Sequence, residues 1–519
     1  MNFTLRCMGA TLVLVSGHAL AQVANPTLRS ASPHVRFSEQ ARLPEAVVES
    51  VVTAGTPFSS NCGDSNGTVY FGAEVEPHVA VNPLNPKNLV GAWQQDRYSN
   101  GGSRGQAYGA SFDGGLTWTR SALPVSVCAG GLYERATDPW IAFGPDGTAH
   151  QVTLAFGGQE GTPTSVSAII ASRSTDGGIT WSTPIVITQD TGIFFNDKET
   201  ITADPFDARF VYAIWDRLLG GNSSGTVFSR STDAGVTWEP SRVLYVPSGG
   251  QTIGNVIRVL PNGTLVNAFM QVTAAASRIH VMRSTDRGAN WSAPILVSDA
   301  PARGTTDPDT GVAVRDGAIV PQMAVAPNGT LYIVWQDMRF AQQRDAIAMS
   351  RSTDGGLTWS APVRINSDPN VPAFTPQVHV REDGTIGITY YDFRSNTADP
   401  ATLLTDFWLA RSADGVNWSE TRVSAPFDLS KAPFVGAYFL GDYTGLASSG
   451  TTFIAFYAKT TGDPSNRNDV YSTRIGPATN KATHAAAPLP AWEIDDASRA
   501  AALANARRAL ETRYLKVQR

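Results

Sequence analysis

Two apolar runs separated by a turn rich in Pro, Asn, Asp and Gly recur along most of this chain. The first copy is Val79 to Trp93 (VAVNPLNPKNLVGAW); others run Ile141 to Phe156, Ile201 to Trp215, Val256 to Phe269, Met323 to Trp335 and Val378 to Tyr390. A seventh copy, Gly445 to Tyr457, comes late, and Asp469 to Ile475 after it reads as one more strand. Short apolar runs bounded by turn formers predict β-strands rather than helices.

Downstream of each of the first six pairs stands a polar signature, S-x-D-x-G-x-T-W. It begins at Ser111 (SFDGGLTW), Ser174 (STDGGITW), Ser231 (STDAGVTW), Ser284 (STDRGANW) and Ser352 (STDGGLTW), with a shortened form at Ser412 (SADGVNW). The starts lie 63, 57, 53, 68 and 60 residues apart, a period that predicts a propeller or solenoid. In each signature Asp can accept hydrogen bonds from backbone N–H groups just ahead of it, and Gly supplies positive φ. Thr starts the next strand and Trp plugs the hairpin. Six of the twelve Trp residues occupy this slot, and one catalytic centre does not need six copies, so the signature is structural.

These turns resemble the Asp-box (BNR) repeats of the sialidase superfamily, over about residues 75 to 475. The expected fold is all-β: a β-propeller of four-stranded antiparallel blades. Seven strand pairs against six signatures favour seven blades, the last lacking its C-terminal outer strand; a strand from the 34–53 region could complete it and cover an open edge. Six blades, the number in the sialidases themselves, is the alternative, with one pair misread. The expected organisation is a signal peptide at 1–21, a lead-in at 22–72, the propeller at 73–476, and a linker with a short helix at 477–519 capped by Asp495 or Asp496.

Composition adds bounds. A net charge of −5, with 16% charged and 42% hydrophobic residues, is ordinary for a soluble globular chain, and no basic patch argues for nucleic acid. Arg6, an apolar run through Leu14 and Ala19-Leu20-Ala21 predict a secretory signal cleaved near Ala21, and hence a secreted or periplasmic protein. That run is too short for a membrane span. Cys62 and Cys128 remain after cleavage and are expected to form one disulfide, worth roughly 3–4 kcal/mol in the chain-entropy model. A monomer is expected.

Propeller geometry sorts the candidate chemistry. The signatures and the turns within each pair share one face, so residues just before each first strand and just after each second strand gather on the other. Before the first strands stand Glu76, Asp138, Asp197-Lys198-Glu199, Asn255, Gln322, Gln377 and Asp442-Tyr443. After the second strands stand Asp96-Arg97, Asp216-Arg217, Asp337 with Arg339, and Asp392 with Arg394. The recurring Asp–Arg pairs suit salt bridges between blades, which makes the singular residues Asp197, Lys198, Glu199, Asp442 and Tyr443 the better functional candidates.

The resemblance implies a Tyr nucleophile partnered by a carboxylate, an Asp acid/base, and arginines gripping a substrate carboxylate. Tyr443-Thr444-Gly445-Leu446 is similar to the family's Y-S-x-L stretch. On that basis Tyr443 would be the nucleophile, Glu199 or Asp442 its carboxylate, and Asp197 or Asp138 the acid/base. Arg97, Arg217, Arg339, Arg394 and Lys198 would hold a carbohydrate substrate. Glu76-Pro77 replaces the family's early Arg-Ile-Pro, and Asn255 and Gln271 stand near places the family gives to Glu and Arg. A non-catalytic glycan- or protein-binding propeller is therefore the alternative, and a polysaccharide lyase a third reading. No cofactor is expected; Asp307-Pro308-Asp309 could bind Ca²⁺ through oxygen ligands, although such acidic loops are more often merely solvated. His78, near a first strand, is the one histidine worth testing.

Overall fold

A computed structural model describes residues 35–37 and 45–477, except 54, 160–161, 220–221 and 342–343. The expected signal peptide and C-terminal helix lie outside the described residues. Within them the structure is all-β, with three single-turn 3-10 segments. No described helix is long and apolar enough to cross a membrane.

Seven innermost strands follow one another among the described residues: Val75–Val81, Arg135–Phe143, Phe194–Ala203, Gln251–Val259, Gln322–Val325, Ala373–Val380 and Gly445–Ser449. Each pairs antiparallel with the next strand in sequence, which starts a four-stranded unit. Neighbouring innermost strands touch, and Gly445–Ser449 touches Val75–Val81, so the row returns on itself in a propeller-like arrangement. The last unit takes its outer strand from the other end of the chain. Glu45–Val51 runs antiparallel to Asn466–Pro477, from Glu45 opposite Pro477 to Val51 opposite Tyr471.

The repeated turns carry the hydrogen bonds their sequence asks for. Asp354 accepts from the amides of Leu357 and Thr358 (both 3.0 Å) and from the Thr358 hydroxyl (2.5 Å), while Ser352 accepts from Gly356 N at 2.9 Å. Gly356 has φ +88°, a conformation that suits glycine. Asn88, in the turn of the first strand pair, donates to the Gly177 carbonyl inside the second unit's signature (3.0 Å). The two kinds of turn therefore share a face. Trp93, Trp215 and Trp335, at the apolar ends of three strand pairs, are fully buried.

One feature departs from the alternating pattern. Five innermost strands begin before the apolar run and contain a bulge, between Val75 and His78, Thr137 and Trp140, Asp197 and Thr200, Ile253 and Val256, and Phe374 and Gln377. The extra residue is left-handed each time: Glu76 (φ 53°), Asp138 (52°), Lys198 (51°), Gly254 (72°) and Thr375 (49°). A bulge breaks the period of two, so the apolar pattern starts late and the polar residues ahead of it belong to the strand.

Candidate functional site

The bulges aim three charged side chains at one point. Lys198 Nζ lies 3.0 Å from Glu76, 2.7 Å from Asp138 and 2.7 Å from Asp442. Left-handed φ is strained for residues with a Cβ, by roughly 1–3 kcal/mol each, and such strain tends to collect at functional sites. Asp442 also receives a two-pronged contact from Arg315, with Nε at 2.9 Å. Arg315 arrives on a small hairpin, Thr305–Thr306 and Ala313–Arg315, whose second strand runs parallel to Tyr438–Phe439. The hairpin closes tightly: a Cβ on Gly317 (φ +65°) would strike the Asp442 carbonyl. The guanidiniums of Arg315 and Arg97 lie over the Phe439 ring, at 4.6 and 5.0 Å.

All of these groups except Arg315 are buried, and charges hidden from water persist only when paired. Burial alone would raise the Asp442 carboxyl, but Arg315 and Lys198 outweigh it and hold it well below the usual range. Burial likewise raises Asp138, but Lys198 and a hydrogen bond with Glu76 outweigh it and leave that carboxyl below its usual value. Glu76 goes the other way, pushed well up by burial and by Asp138. Lys198 keeps its own charge because Asp138, Asp442 and Glu76 overcome its desolvation. Burial lifts Asp197 to about 6 despite the adjacent Lys198 cation, whose backbone amide donates to it at 3.0 Å.

Tyr443 stands at the edge of this cluster, its ring 5.8 Å from Lys198 Nζ and 5.1 Å from the Trp140 ring. Its hydroxyl donates to the Pro139 carbonyl (3.2 Å), and burial followed by the surrounding carboxyls pushes its pKa well up. Glu199 shares a cavity of about 10 Å³ with Tyr443, Trp140, Asn255 and Gln322, room for about one water. Both carboxyl oxygens of Glu199 are buried with no hydrogen-bond partner, and burial raises its pKa well above the usual range. His78 stacks on Trp140 (3.9 Å) and accepts from Ile141 N at 3.2 Å, a packing role.

The structure thus gathers Asp138, Asp197, Lys198, Glu199, Asp442, Tyr443 and Arg97, and does not bring Arg217, Arg339 or Arg394 to the same point. Arg217 pairs with Asp190, Arg339 with Asp337, and Arg394 with Asp392 and Glu420. The recurring aspartates are clasps. Asp216 accepts from Thr252 (2.7 Å), Gly254 N (3.0 Å) and Asn255 (2.7 Å), which ties one unit to the next unit's bulge. Asp96 pairs with Arg104 rather than Arg97. Glu76 and Arg315 carry the cluster although neither stood among the preferred candidates. Glu76 was legible as the residue ahead of a first strand, whereas Arg315 depends on the pairing of two short strands far apart in the chain.

Cys62 and Cys128 form a disulfide. Asp307 accepts from Asp309 N (2.9 Å) and from the Thr310 hydroxyl (2.6 Å), so the acidic loop bonds within itself. Among the described residues no group of three or more His, Cys, Asp or Glu is arranged to hold a metal ion. At the point where three carboxyls converge, the lysine ammonium is the cation.

Comparison with known proteins places the chain among repeat proteins. A xyloglucanase of Paenibacillus sp is 27% identical over 209 residues, 38% of this chain and 18% of that protein, so the match spans under a fifth of the relative's length. Among solved structures, the polysaccharide lyase Uly1 aligns with TM-score 0.49 and 12% identity over 84% of this chain and 100% of that one. The Hadza microbial sialidase Hz136 aligns with TM-score 0.43 and 15% identity over 85% and 98%. The profile of the BNR repeat-like domain matches residues 145–320 and 223–433, together more than half of the chain, and the protein belongs to that family.

Proposed function

We propose that this protein is an exported glycoside hydrolase acting on a polar or acidic glycan, with its site at the hub on the face opposite the S-x-D-x-G-x-T-W turns. The observation that carries the reading is the meeting of Glu76, Asp138 and Lys198, three strained left-handed residues from three successive units, at one ammonium. The seven antiparallel units are read as seven blades closed by Glu45–Val51, and the protein as a monomer. The disulfide suits an oxidising compartment. The sequence likeness to a xyloglucanase supports a carbohydrate substrate.

Asp197 suits the acid/base role. Its carboxyl, lifted to about 6, holds a proton in mild acid and gives it up near neutrality. Asp138 and Asp442, held ionised, suit stabilisation of the positive charge that develops at the anomeric carbon. Arg315, the most exposed member of the cluster, is the cation nearest the approach, and it would meet a negatively charged sugar only by sharing its pairing with Asp442. An exo-α-sialidase reaction would need Tyr443 as nucleophile; its phenol would have to leave the Pro139 carbonyl and meet a carboxylate, so the carboxylate form of the mechanism is the better supported.

A non-catalytic glycan-binding propeller is the second reading, favoured by the saturation of Lys198 with three carboxyls. The test is a panel of fluorogenic glycosides, including sialosides, and neutral and acidic polysaccharides, with Asp197→Asn and Asp138→Asn beside the parent. Hydrolysis falling at least ~100-fold in both variants, with unchanged circular dichroism, supports the proposal. Turnover within a few-fold of the parent overturns these roles. Saturable binding without turnover selects the second reading, and an unsaturated, ultraviolet-absorbing product selects a lyase.

A further inference from the structure

Away from the hub, but on the same face, lies a cleft of about 360 Å³ that the hub chemistry does not use. That volume falls within the ~300–1,000 Å³ of small-ligand sites. Its floor lies where the second and third units meet, with the rings of Phe156 and Phe195 edge-on at 5.4 Å. One wall is the loop that follows the Cys62–Cys128 disulfide, Asp64-Ser65-Asn66. The opposite wall is the Gly157-Gly158-Gln159 stretch, held by a hydrogen bond from Gly158 N to Glu134 (3.0 Å).

Two features fix what the cleft can take. First, its cation is spent: Arg135 makes a two-pronged pair with Asp64 (2.6 and 2.9 Å) and donates to Asn100 at 2.8 Å and to the carbonyls of Gly101 and Asn66. With Arg135 balanced by Asp64, the carboxylate of Glu134 leaves the lining net negative, which disfavours an anionic ligand. Second, the accessible lining pairs aromatic surface with the exposed Ser65, Asn66 and Gln159. Flat apolar rings beside amides and a hydroxyl, with no positive charge to spare, match the alternating C–H faces and hydroxyl edges of an uncharged sugar.

We infer that this cleft is a separate binding site for a neutral saccharide, built by the disulfide-fastened N-terminal loop where the second and third units meet. It rests on the glycan-acting reading of the protein but not on catalysis at the hub. A polysaccharide with a charged residue at the hub and neutral residues over the cleft would be gripped at two places.

The experiment is titration calorimetry on the full chain carrying Asp197→Asn, which removes turnover, with xyloglucan oligosaccharides and arabino-oligosaccharides as neutral probes and oligogalacturonate as the acidic one. Phe195→Ala removes half of the aromatic floor, and Ser65→Trp fills the cleft from an exposed position that threatens no core packing. Weakening of a neutral probe by at least ~10-fold in both variants, with the affinity of oligogalacturonate unchanged, is the expected result. The inference is overturned if no neutral probe binds, if both variants bind it as well as the parent, or if oligogalacturonate competes for the cleft. Placed in the chain with Asp197 intact, Ser65→Trp should leave hydrolysis of a small aryl glycoside unchanged. Loss of that activity in a correctly folded Ser65→Trp protein also overturns the separation of the two sites, while failure of the hub roles alone leaves the binding result standing.

Discussion

The Lys198 ammonium lies 2.7 Å from the Asp442 carboxylate, and through it the third unit is tied to the segment that leads into the last. The same nitrogen reaches Glu76 in the first unit and Asp138 in the second. One side chain therefore crosslinks four parts of the ring at its centre.

Replacing Lys198 with Met should consequently destabilise the fold well beyond a surface substitution. Loss of one partner from a buried charge network leaves the others uncompensated, at about 3–5 kcal/mol. Adding Asp138→Asn to Lys198→Met should recover part of the loss, because it removes one stranded carboxylate. Denaturant unfolding of the two variants and the parent checks this; a Lys198→Met midpoint equal to the parent's rejects the crosslinking role.

The ring and its hairpins were legible in the sequence because each depends on local chemistry repeated many times. Ser352, Asp354 and Gly356 bond to one another within a few residues, so their spacing reveals the turn. The candidate cluster was legible only by face. Asp138, Asp197, Lys198 and Asp442 were named because they precede apolar strands, but the bulges that turn Asp138 and Lys198 toward each other leave no period to read. Spacing already suggested the Asp337–Arg339 and Asp392–Arg394 pairs, but it could not show that Arg217 turns to Asp190, 27 residues away, or that Arg97 alone of the four approaches the hub. Those two placements depend on the tertiary structure, which brings Asp190 within reach of Arg217 and sets Arg97 over the Phe439 ring.

Stability should fall as pH rises from mild acid through neutrality. Burial lifts Asp216 from 3.8 to about 7, and Asp197 to about 6. A carboxyl whose folded pKa is raised binds more protons in the folded state than in the unfolded one, so its contribution is complete below the unfolded value and is lost as pH climbs through the folded value. The window for Asp216 runs from about pH 4 to about 7. Asp216→Asn should flatten the slope of unfolding free energy against pH within that window. An unchanged slope in the variant counts against the buried, protonated carboxyl.

The turn aspartates have the opposite sign. Hydrogen bonds from Asn290 and Ser284 hold Asp286 at about 2, and backbone and side-chain donors likewise lower Asp354 and Asp414. Their stabilisation is present above the unfolded carboxyl range and is lost as pH drops through the folded values. Asp354→Ala should lower stability by about 0.5–1.5 kcal/mol near neutral pH, since water can reach the exposed Thr358 and Leu357 amides, and should make the remaining loss on acidification shallower. Thermal unfolding of parent and variant at two pH values, one near neutrality and one near 2, separates these effects.

Breaking the Cys62–Cys128 bond by the double substitution to Ser should lower stability by about 4 kcal/mol in the chain-entropy model, given a sequence separation of 66. The local consequence reaches further than the crosslink. Arg104, fully buried, donates to the Cys62 carbonyl at 3.0 Å and pairs with Asp96, so the loop shields an internal ion pair. Hydrogen exchange should therefore accelerate around Asp96 and Arg104 as well as in the loop; acceleration in the loop alone argues that the ion pair holds without its cover.

Removal of the chain through Thr53 should strip the last unit of its outer strand and leave Asn466–Pro477 as an open sheet edge. Glu45–Val51 lines Asn466–Pro477 from Pro477 back to Tyr471, and Glu49 accepts from Tyr457 (2.5 Å) and Lys459 (2.6 Å). Without that strand the N–H and C=O groups on the outer side of Asn466–Pro477 lose their partners, and Tyr457 is left as a buried hydroxyl with only Thr473 beside it (2.9 Å). An unpaired, extended edge of this length recruits other chains. The truncated protein should unfold at lower temperature and form larger species in light scattering after size exclusion. Glu49→Ala in the full chain, which removes the two side-chain contacts but keeps the strand, should lower the midpoint without producing those species. If the truncated protein stays monomeric and as stable as the parent, the N-terminal strand is decoration rather than closure, since the ring would then hold through its innermost strands alone.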